Sequence, residues 1–180
     1  MNMNETDKEI FAEDKQSYLP VFNRYQIVLD HGDGAYVWDV NGKKYIDFLG
    51  GIAVNVLGHG YKPLVEAIST QAGKLIHCSN LYYSQPQADA AAKLVKLSGL
   101  GKAFFGNSGA EANEGAIKIA RKYAHQINPE KSQIITAWDS FHGRTIATLT
   151  ATGQKHYHEG VGPLPAGFDY VHYNDIAELE

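Results

Sequence analysis

The feature that most constrains the fold of this chain is the alternation of helical patterns with short apolar segments. Beyond residue 60, apolar residues recur at helical spacing over residues 63–72, 86–95 and 111–125. Short apolar runs lie at residues 133–137 and 170–173. Helices that alternate with short apolar strands indicate an α/β architecture with a largely parallel sheet. The 180 residues are enough to bury a sizeable core.

A tight hairpin is predicted ahead of this region. Residues 35–39 and 44–48 have strand character, and Asn41-Gly42 between them supplies the positive φ angles that such a turn needs. We expect an N-terminal arm and a small-domain hairpin over residues 1–60, and the first part of a larger α/β domain over residues 61–180. Residues 1–17, whose periodicity is weak, are expected to form a mobile or partner-bound arm.

Composition excludes several classes of function. The net charge of −4 provides no basic surface that would collect nucleic acid or an anionic membrane. No apolar run is long enough to span a bilayer, and the polar start does not resemble a signal peptide. The single cysteine, Cys78, cannot form an intrachain disulfide. A cytoplasmic protein with small-molecule substrates is therefore expected.

The segment 104–114 has the pattern of a strand, a tight loop and then a helix. The start of a helix leaves backbone N–H groups unpaired at the positive end of the helix dipole, and glycine lets an anion approach the backbone closely. A phosphate would suit this loop, and the Ser108 hydroxyl could add a hydrogen bond. Alternatively, Ser108 only caps the helix and Gly109 closes the turn. The pattern matches neither the P-loop nor the dinucleotide-binding glycine motif.

The same loop, Asn107-Ser108-Gly109-Ala110-Glu111-Ala112-Asn113-Glu114, resembles the phosphate-binding motif of class III aminotransferases. Further matches follow in the family's order: Trp38-Asp39, Gly42-Lys43 with Asp47-Phe48, Gly50 to Val54, Leu57 to His59, Ser79 to Tyr83 with Gln85-Pro86, and Ser140 to Thr145. Within this class, the chain most resembles the N-acetylornithine aminotransferases of arginine biosynthesis. The resemblance implies an aspartate-aminotransferase-like fold of type I, a pyridoxal 5'-phosphate cofactor and no metal ligand.

The resemblance also implies roles for individual residues. The backbone of Ser108, Gly109 and Ala110 would hold the cofactor phosphate, and Phe141 would lie against the pyridine ring. Arg144 would bind the substrate's α-carboxylate, because a guanidinium offers two parallel donors with a permanent charge. Taken alone, Phe141 is more typical of core packing, and Arg144 is more typical of a surface residue or a structural ion pair.

Further expectations concern the substrate, the partner subunit and His142. The apolar Ile52 stands where similar ornithine aminotransferases carry tyrosine, which favours an acetylated or amine-poor substrate. The Asn80 to Tyr83 stretch resembles a segment that helps to complete the active site of the neighbouring subunit, so a homodimer is implied. Tyr82 and Tyr83 are equally compatible with the core of an interface. His142 is expected to be a structural histidine rather than a cofactor neighbour.

The implied reaction moves the amino group of N-acetylornithine to 2-oxoglutarate. The lysine that forms a Schiff base with the cofactor in this family is not found in these 180 residues, which are expected to be an incomplete and inactive part of a longer enzyme. Succinylornithine, ornithine and 4-aminobutyrate aminotransferases remain alternatives. So do a truncated or degenerate relative that dimerises without turnover, and a phosphate-binding α/β module with no role in amino transfer.

Overall fold

The computed structural model describes residues 4–180. Contacts between Cα atoms divide the chain into two compact units, one that ends at Tyr82 and one from Tyr83 to Glu180. The helix Lys62–Lys74 thus groups with the first unit, whereas the sequence predicts that it belongs to the larger domain. The boundary between residues 60 and 61 stays a prediction.

The first unit contains a small antiparallel sheet with helices before and after it. Its sheet has the order β1-β2-β3. The elements are α1 (Glu5–Ser17), β1 (Leu29–Asp33), β2 (Tyr36–Asp39), β3 (Lys44–Ile46), the single turn α2 (Gly50–Ala53) and α3 (Lys62–Lys74).

The predicted hairpin is confirmed as β2 and β3, and one carboxylate organises its turn. Buried Asp39 accepts hydrogen bonds from the Tyr45 hydroxyl at 2.7 Å and from the backbone N–H groups of Asn41 and Lys43, both at 2.9 Å. The hydrogen bond from Tyr45 makes the largest contribution to lowering the pKa of Asp39. Gly42 takes a φ of 75°, but Asn41 does not take the positive φ that the Asn-Gly pair predicts for it.

Residues 5–17 of the predicted arm form helix α1, which the weak periodicity did not indicate. The cause is a capping box, in which the Asn4 side chain accepts from the Asp7 N–H and the Asp7 carboxylate accepts from the Asn4 N–H. The Asn41 amide donates to the same carboxylate at 2.9 Å, so the helix start is tied to the hairpin turn. Residues 1–3 of the arm lie outside the described residues.

Turn α2 has left-handed backbone angles from Gly50 through Ala53, including a φ of 59° at β-branched Ile52. Such angles are strained for residues other than glycine. Asp47 supports the start of this turn by accepting from the N–H of Gly50 at 2.8 Å. The other Asp47 oxygen lies 2.7 Å from His59 Nε2, and this hydrogen bond is the main cause of the lowered pKa of Asp47.

The second unit has the α/β arrangement that the sequence predicts. Its strands β4 and β5 pair in parallel, in register from Ile134 with Phe168 to Ala137 with Val171. The elements are α4 (Gln85–Ser98), α5 (Gly109–Ile127), β4 (Ile134–Ala137), α6 (Ile146–Ala151), a 3-10 turn (Lys155–Tyr157), β5 (Phe168–Val171) and α7 (Ile176–Leu179).

Residues 103–105, which the sequence treats as a strand before the loop, are not assigned to one. A strand exists through its ladder partners, and this segment pairs with no strand in the described part of the chain. The buried core of the second unit lies around α6, where Leu149 and Ala151 are buried beside Thr148 and Thr152. Between residues 4 and 180, no helix is both long and apolar enough to cross a bilayer.

Candidate active site

The loop before α5 begins the helix with a side-chain cap. Ser108 has extended backbone angles, and its Oγ accepts from the N–H of Glu111 at 3.2 Å. The Glu111 carboxylate turns back and accepts from the N–H of Asn107 at 2.6 Å and from its side-chain amide at 2.9 Å. These hydrogen bonds hold the pKa of Glu111 below its ordinary value. The Ser-x-x-Glu spacing carries this signal in the sequence.

The capping bonds leave a group of donors at the start of α5. Among residues 4–180, no group accepts a hydrogen bond from the backbone N–H of Gly109 or Ala110. The space beside Gly109 is open, since a Cβ built there would meet no heavy atom within 4 Å. Ser108 accepts one bond through its hydroxyl oxygen and keeps its own proton to donate. This donor set, at the positive end of a 19-residue helix, fits a phosphate group.

The second predicted motif runs from Phe141 to Arg144 and leaves both of these side chains exposed. Tyr157 lies beside both. Its ring meets the Phe141 ring edge-to-face with the centroids 6.0 Å apart, and the Arg144 guanidinium carbon lies 5.1 Å from its centroid. Sequence reasoning missed Tyr157, because it lies in a separate 3-10 turn and belongs to none of the motifs that carried the resemblance.

The two motifs meet at Gly143 and Ala110. Gly143 has a φ of 138°, and a Cβ built on it would lie 2.7 Å from Ala110 Cβ and 2.6 Å from Thr148 Oγ1. The structure therefore brings the donors at Gly109 and Ala110 together with the segment that carries Phe141 and Arg144. Any larger residue at position 143 would push the two motifs apart.

Within residues 4–180, the other predicted residues contribute no described side-chain contact to this site. Ile52 is exposed in the first unit, and Tyr82 and Tyr83 are exposed at the junction of the two units along the chain. In His142, the backbone is bonded: its carbonyl accepts from the Asn113 amide at 2.8 Å, and its N–H donates to Thr152 Oγ1 at 2.9 Å. No group of three or more metal-ligating side chains occurs within residues 4–180.

Comparison with known proteins decides the family. The family model described as aminotransferase class-III matches residues 20–180. This chain is a class III aminotransferase sequence. It is 56% identical over 167 residues to the acetylornithine aminotransferase of Caldanaerobacter subterraneus subsp. tengcongensis, covering 92% of this chain and 42% of that relative. It is 53% identical over 168 residues to that of Methanocaldococcus jannaschii, covering 93% and 42%.

Solved structures agree with this class III assignment. The ornithine aminotransferase of Toxoplasma gondii superposes with a TM-score of 0.92 at 30% identity, covering 98% of this chain and 42% of that one. The acetylornithine aminotransferase of Elizabethkingia anophelis superposes with a TM-score of 0.76 at 31% identity, covering 96% and 39%. The predicted fold type I is confirmed. The class III chain spans about two fifths of the length of the curated relatives it matches.

Proposed function

We propose that the protein transfers the amino group of N-acetylornithine to 2-oxoglutarate, giving N-acetylglutamate semialdehyde and glutamate. The observation that carries the proposal is the contact of Gly143 with Ala110, which joins a phosphate-binding helix start to the segment of Phe141 and Arg144. The identity of about half of all residues to proteins named acetylornithine aminotransferase supports the choice of substrate.

Pyridoxal 5'-phosphate is the proposed cofactor. The N–H groups of Gly109 and Ala110 and the hydroxyl of Ser108 would hold its phosphate, since this donor set fits a dianion. Phe141, whose ring is 56% exposed, would offer a face to the pyridine. When bound, the cofactor supplies an electron sink for the pair left on the carbon that bears the amine.

Arg144 is the proposed ligand of the substrate carboxylate. Its guanidinium is permanently charged and offers two parallel donors in the plane of a carboxylate. The Tyr157 ring beside it provides a flat surface that narrows the orientations the guanidinium can adopt. Carboxylate binding of this kind orients the substrate and leaves the reacting amine at the other end of the molecule.

Within the class, the apolar Ile52 favours an acylated donor, because an ammonium group would be costly to desolvate beside it. Succinylornithine, ornithine and 4-aminobutyrate are the competing donors. We further infer a cytoplasmic homodimer whose interface covers exposed apolar residues such as Leu81, Tyr82 and Tyr83. A truncated relative that dimerises without turnover is the alternative from another class of function.

The test is the formation of glutamate from 2-oxoglutarate by the protein expressed from its complete reading frame. N-acetylornithine, N-succinylornithine, ornithine and 4-aminobutyrate are compared as donors under identical conditions. The proposal expects the highest kcat/KM with N-acetylornithine. A higher kcat/KM with another donor would reassign the substrate, and absence of glutamate with all four donors would favour the non-catalytic alternative.

A further inference from the structure

We propose that Asn113 and Glu114 of helix α5 are positioning residues that hold Arg144 ready for the substrate carboxylate. The inference rests on the proposed role of Arg144 and adds two residues that the family resemblance did not assign to it. Both lie one turn beyond the helix start that would bind the phosphate. They connect the two halves of the site through hydrogen bonds rather than through contact with a ligand.

The contacts of these two residues bracket Arg144 along the chain. The Asn113 side-chain amide donates to the carbonyl of His142 at 2.8 Å. The Thr145 hydroxyl donates to Glu114 Oε1 at 2.5 Å. The segment that carries Arg144 is therefore fastened to α5 both before and after it, by side chains that are themselves half-buried.

Helix α6 and Thr152, which follows it, also hold this segment. Thr152 is fully buried, and its Oγ1 accepts from the N–H of His142 at 2.9 Å and lies 2.9 Å from the carbonyl of Thr148, to which it donates. The Oγ1 of Thr148, also fully buried, lies 2.6 Å from that of Thr145. With Gly143 packed on Ala110, the backbone of residues 142–145 has contacts to both helices.

A fixed backbone at Arg144 matters because the side chain is long and has many rotamers. Two-point binding of a carboxylate requires the guanidinium to meet both oxygens in one plane, so small shifts of the backbone at its base weaken the interaction. A residue that only stabilised the fold would affect every substrate equally. A residue that positions Arg144 affects the binding of a substrate only to the extent that Arg144 binds the carboxylate of that substrate.

This difference gives the test, made on the complete protein loaded with cofactor. N-acetylputrescine is N-acetylornithine without its carboxylate, so it keeps the reacting amine and omits the group that Arg144 would bind. Glu114→Ala is expected to raise KM for N-acetylornithine about tenfold, the factor expected for one hydrogen bond to a charged group. Its kcat for N-acetylornithine and its kcat/KM for N-acetylputrescine are expected to stay within about twofold of wild type.

Matched variants separate the loss of a hydrogen bond from other effects of changing the side chain. Glu114→Gln keeps an oxygen that accepts from Thr145 and is expected to keep KM near the wild-type value. Asn113→Asp keeps the size but loses the donor to His142, and is expected to raise KM as Glu114→Ala does. Lys118→Ala, on the exposed part of α5, is the control and is expected to leave the kinetics with both amine donors unchanged.

A binding measurement provides a readout apart from turnover. Glutarate, an unreactive dicarboxylate, is titrated against the wild type, Glu114→Ala, Arg144→Ala and the double variant. We expect Glu114→Ala to weaken binding in the wild-type background and to add nothing once Arg144 is gone, because both changes then remove the same interaction. The absorbance of the bound cofactor is expected to be the same in all four proteins.

The outcomes separate the inference from the function on which it rests. If Arg144→Ala leaves glutarate binding unchanged, the proposed role of Arg144 fails. If Arg144→Ala weakens binding but Glu114→Ala does not, or if Glu114→Ala impairs both amine donors equally, the positioning role is overturned. Should Glu114→Ala fail to fold, Thr145→Val removes the same bond from its other end and is expected to give the same split between donors.

Discussion

Gly143 lies against Ala110 so closely that a methyl group on Gly143 would come within 2.7 Å of the Ala110 Cβ. The two residues belong to different sequence motifs, and their contact places a helix start beside a distant loop. Because Ala110 N–H is one of the proposed phosphate donors and Arg144 follows Gly143 directly, the distance between the proposed phosphate and carboxylate sites depends on this contact.

Gly143→Ala is therefore expected to lower the free energy of unfolding by about 1–3 kcal/mol and to weaken retention of pyridoxal phosphate. The new methyl group would collide with Ala110 and Thr148, and the φ of 138° is rare for any residue with a side chain. Urea denaturation and a cofactor titration by absorbance measure the two effects. Gly101→Ala is the control, since its Cβ would meet nothing within 4 Å. Equal stability of both variants would refute the close packing of Gly143 against Ala110 and Thr148.

Arg144→Ala in the complete enzyme is expected to raise KM for N-acetylornithine by about 100-fold, the order expected when a charged, two-point contact is lost. Retention of the cofactor is expected to be unchanged, because no proposed phosphate contact involves this side chain. Arg144→Lys should recover only part of the loss, because a lysine cannot reproduce the planar pair of donors. Steady-state kinetics with the three proteins makes the comparison, and unchanged kinetics in Arg144→Ala would disprove the assignment.

Ser108→Ala distinguishes a serine that only caps α5 from one that also donates to the cofactor phosphate. Loss of the helix cap is expected to cost about 1 kcal/mol of stability whether or not a phosphate binds. If the hydroxyl also donates to the phosphate, the Kd for pyridoxal phosphate should rise up to about tenfold. Ser108→Asp keeps a capping oxygen but places a negative charge beside the phosphate, so it should restore helix stability and abolish cofactor binding. Normal cofactor affinity in Ser108→Ala would leave Ser108 as a cap alone.

The stability of the first unit is expected to fall in acid through Asp47. Its pKa in the folded protein is lowered, first by the hydrogen bond with His59 and then by the N–H of Gly50. A depressed pKa means that Asp47 stabilises the fold above its unfolded pKa, near 4, and that this contribution is lost as the pH falls through the folded value. Asp47→Asn should be less stable than wild type at neutral pH, with the difference shrinking below about pH 4.

Denaturation midpoints measured between neutral and strongly acidic pH test this dependence. Asp33→Asn, at an exposed position of β1, is the control and should leave the pH profile of the wild type unchanged. A difference between Asp47→Asn and wild type that stays constant as the pH falls would contradict the role of the ionised carboxylate.

Local sequence patterns predicted several helices and the β2–β3 strand pair, whose two strands lie close together in the sequence. The Asn41-Gly42 turn is sufficient to specify the β2–β3 hairpin, because its strands meet across a few residues. Helices α3, α4 and α5 follow from apolar spacing and from proline near the first turn of the first two. The α1 helix was missed because its signal is a capping box at Asn4 and Asp7 rather than an apolar face.

The arrangement of the site could be predicted only in part. The family motifs predict roles for Ser108 and Arg144, yet nothing local in the sequence indicates that Gly143 would pack on Ala110. The same holds for Tyr157 beside Arg144 and for Glu114 bound to Thr145, since both contacts join segments that only the tertiary fold brings together. Residues 103–105 show the converse, because an apolar run becomes a strand only when a neighbour pairs with it.

The central claim is that this class III chain holds pyridoxal phosphate at the start of α5. The most direct test is the intact mass of the protein, expressed from its complete reading frame, after borohydride reduction, which converts a lysine–pyridoxal linkage into a stable amine. The account predicts one pyridoxyl-phosphate increment per chain in the wild type and its loss in Ser108→Asp. A wild-type mass without the increment, or an undiminished increment in Ser108→Asp, would contradict it.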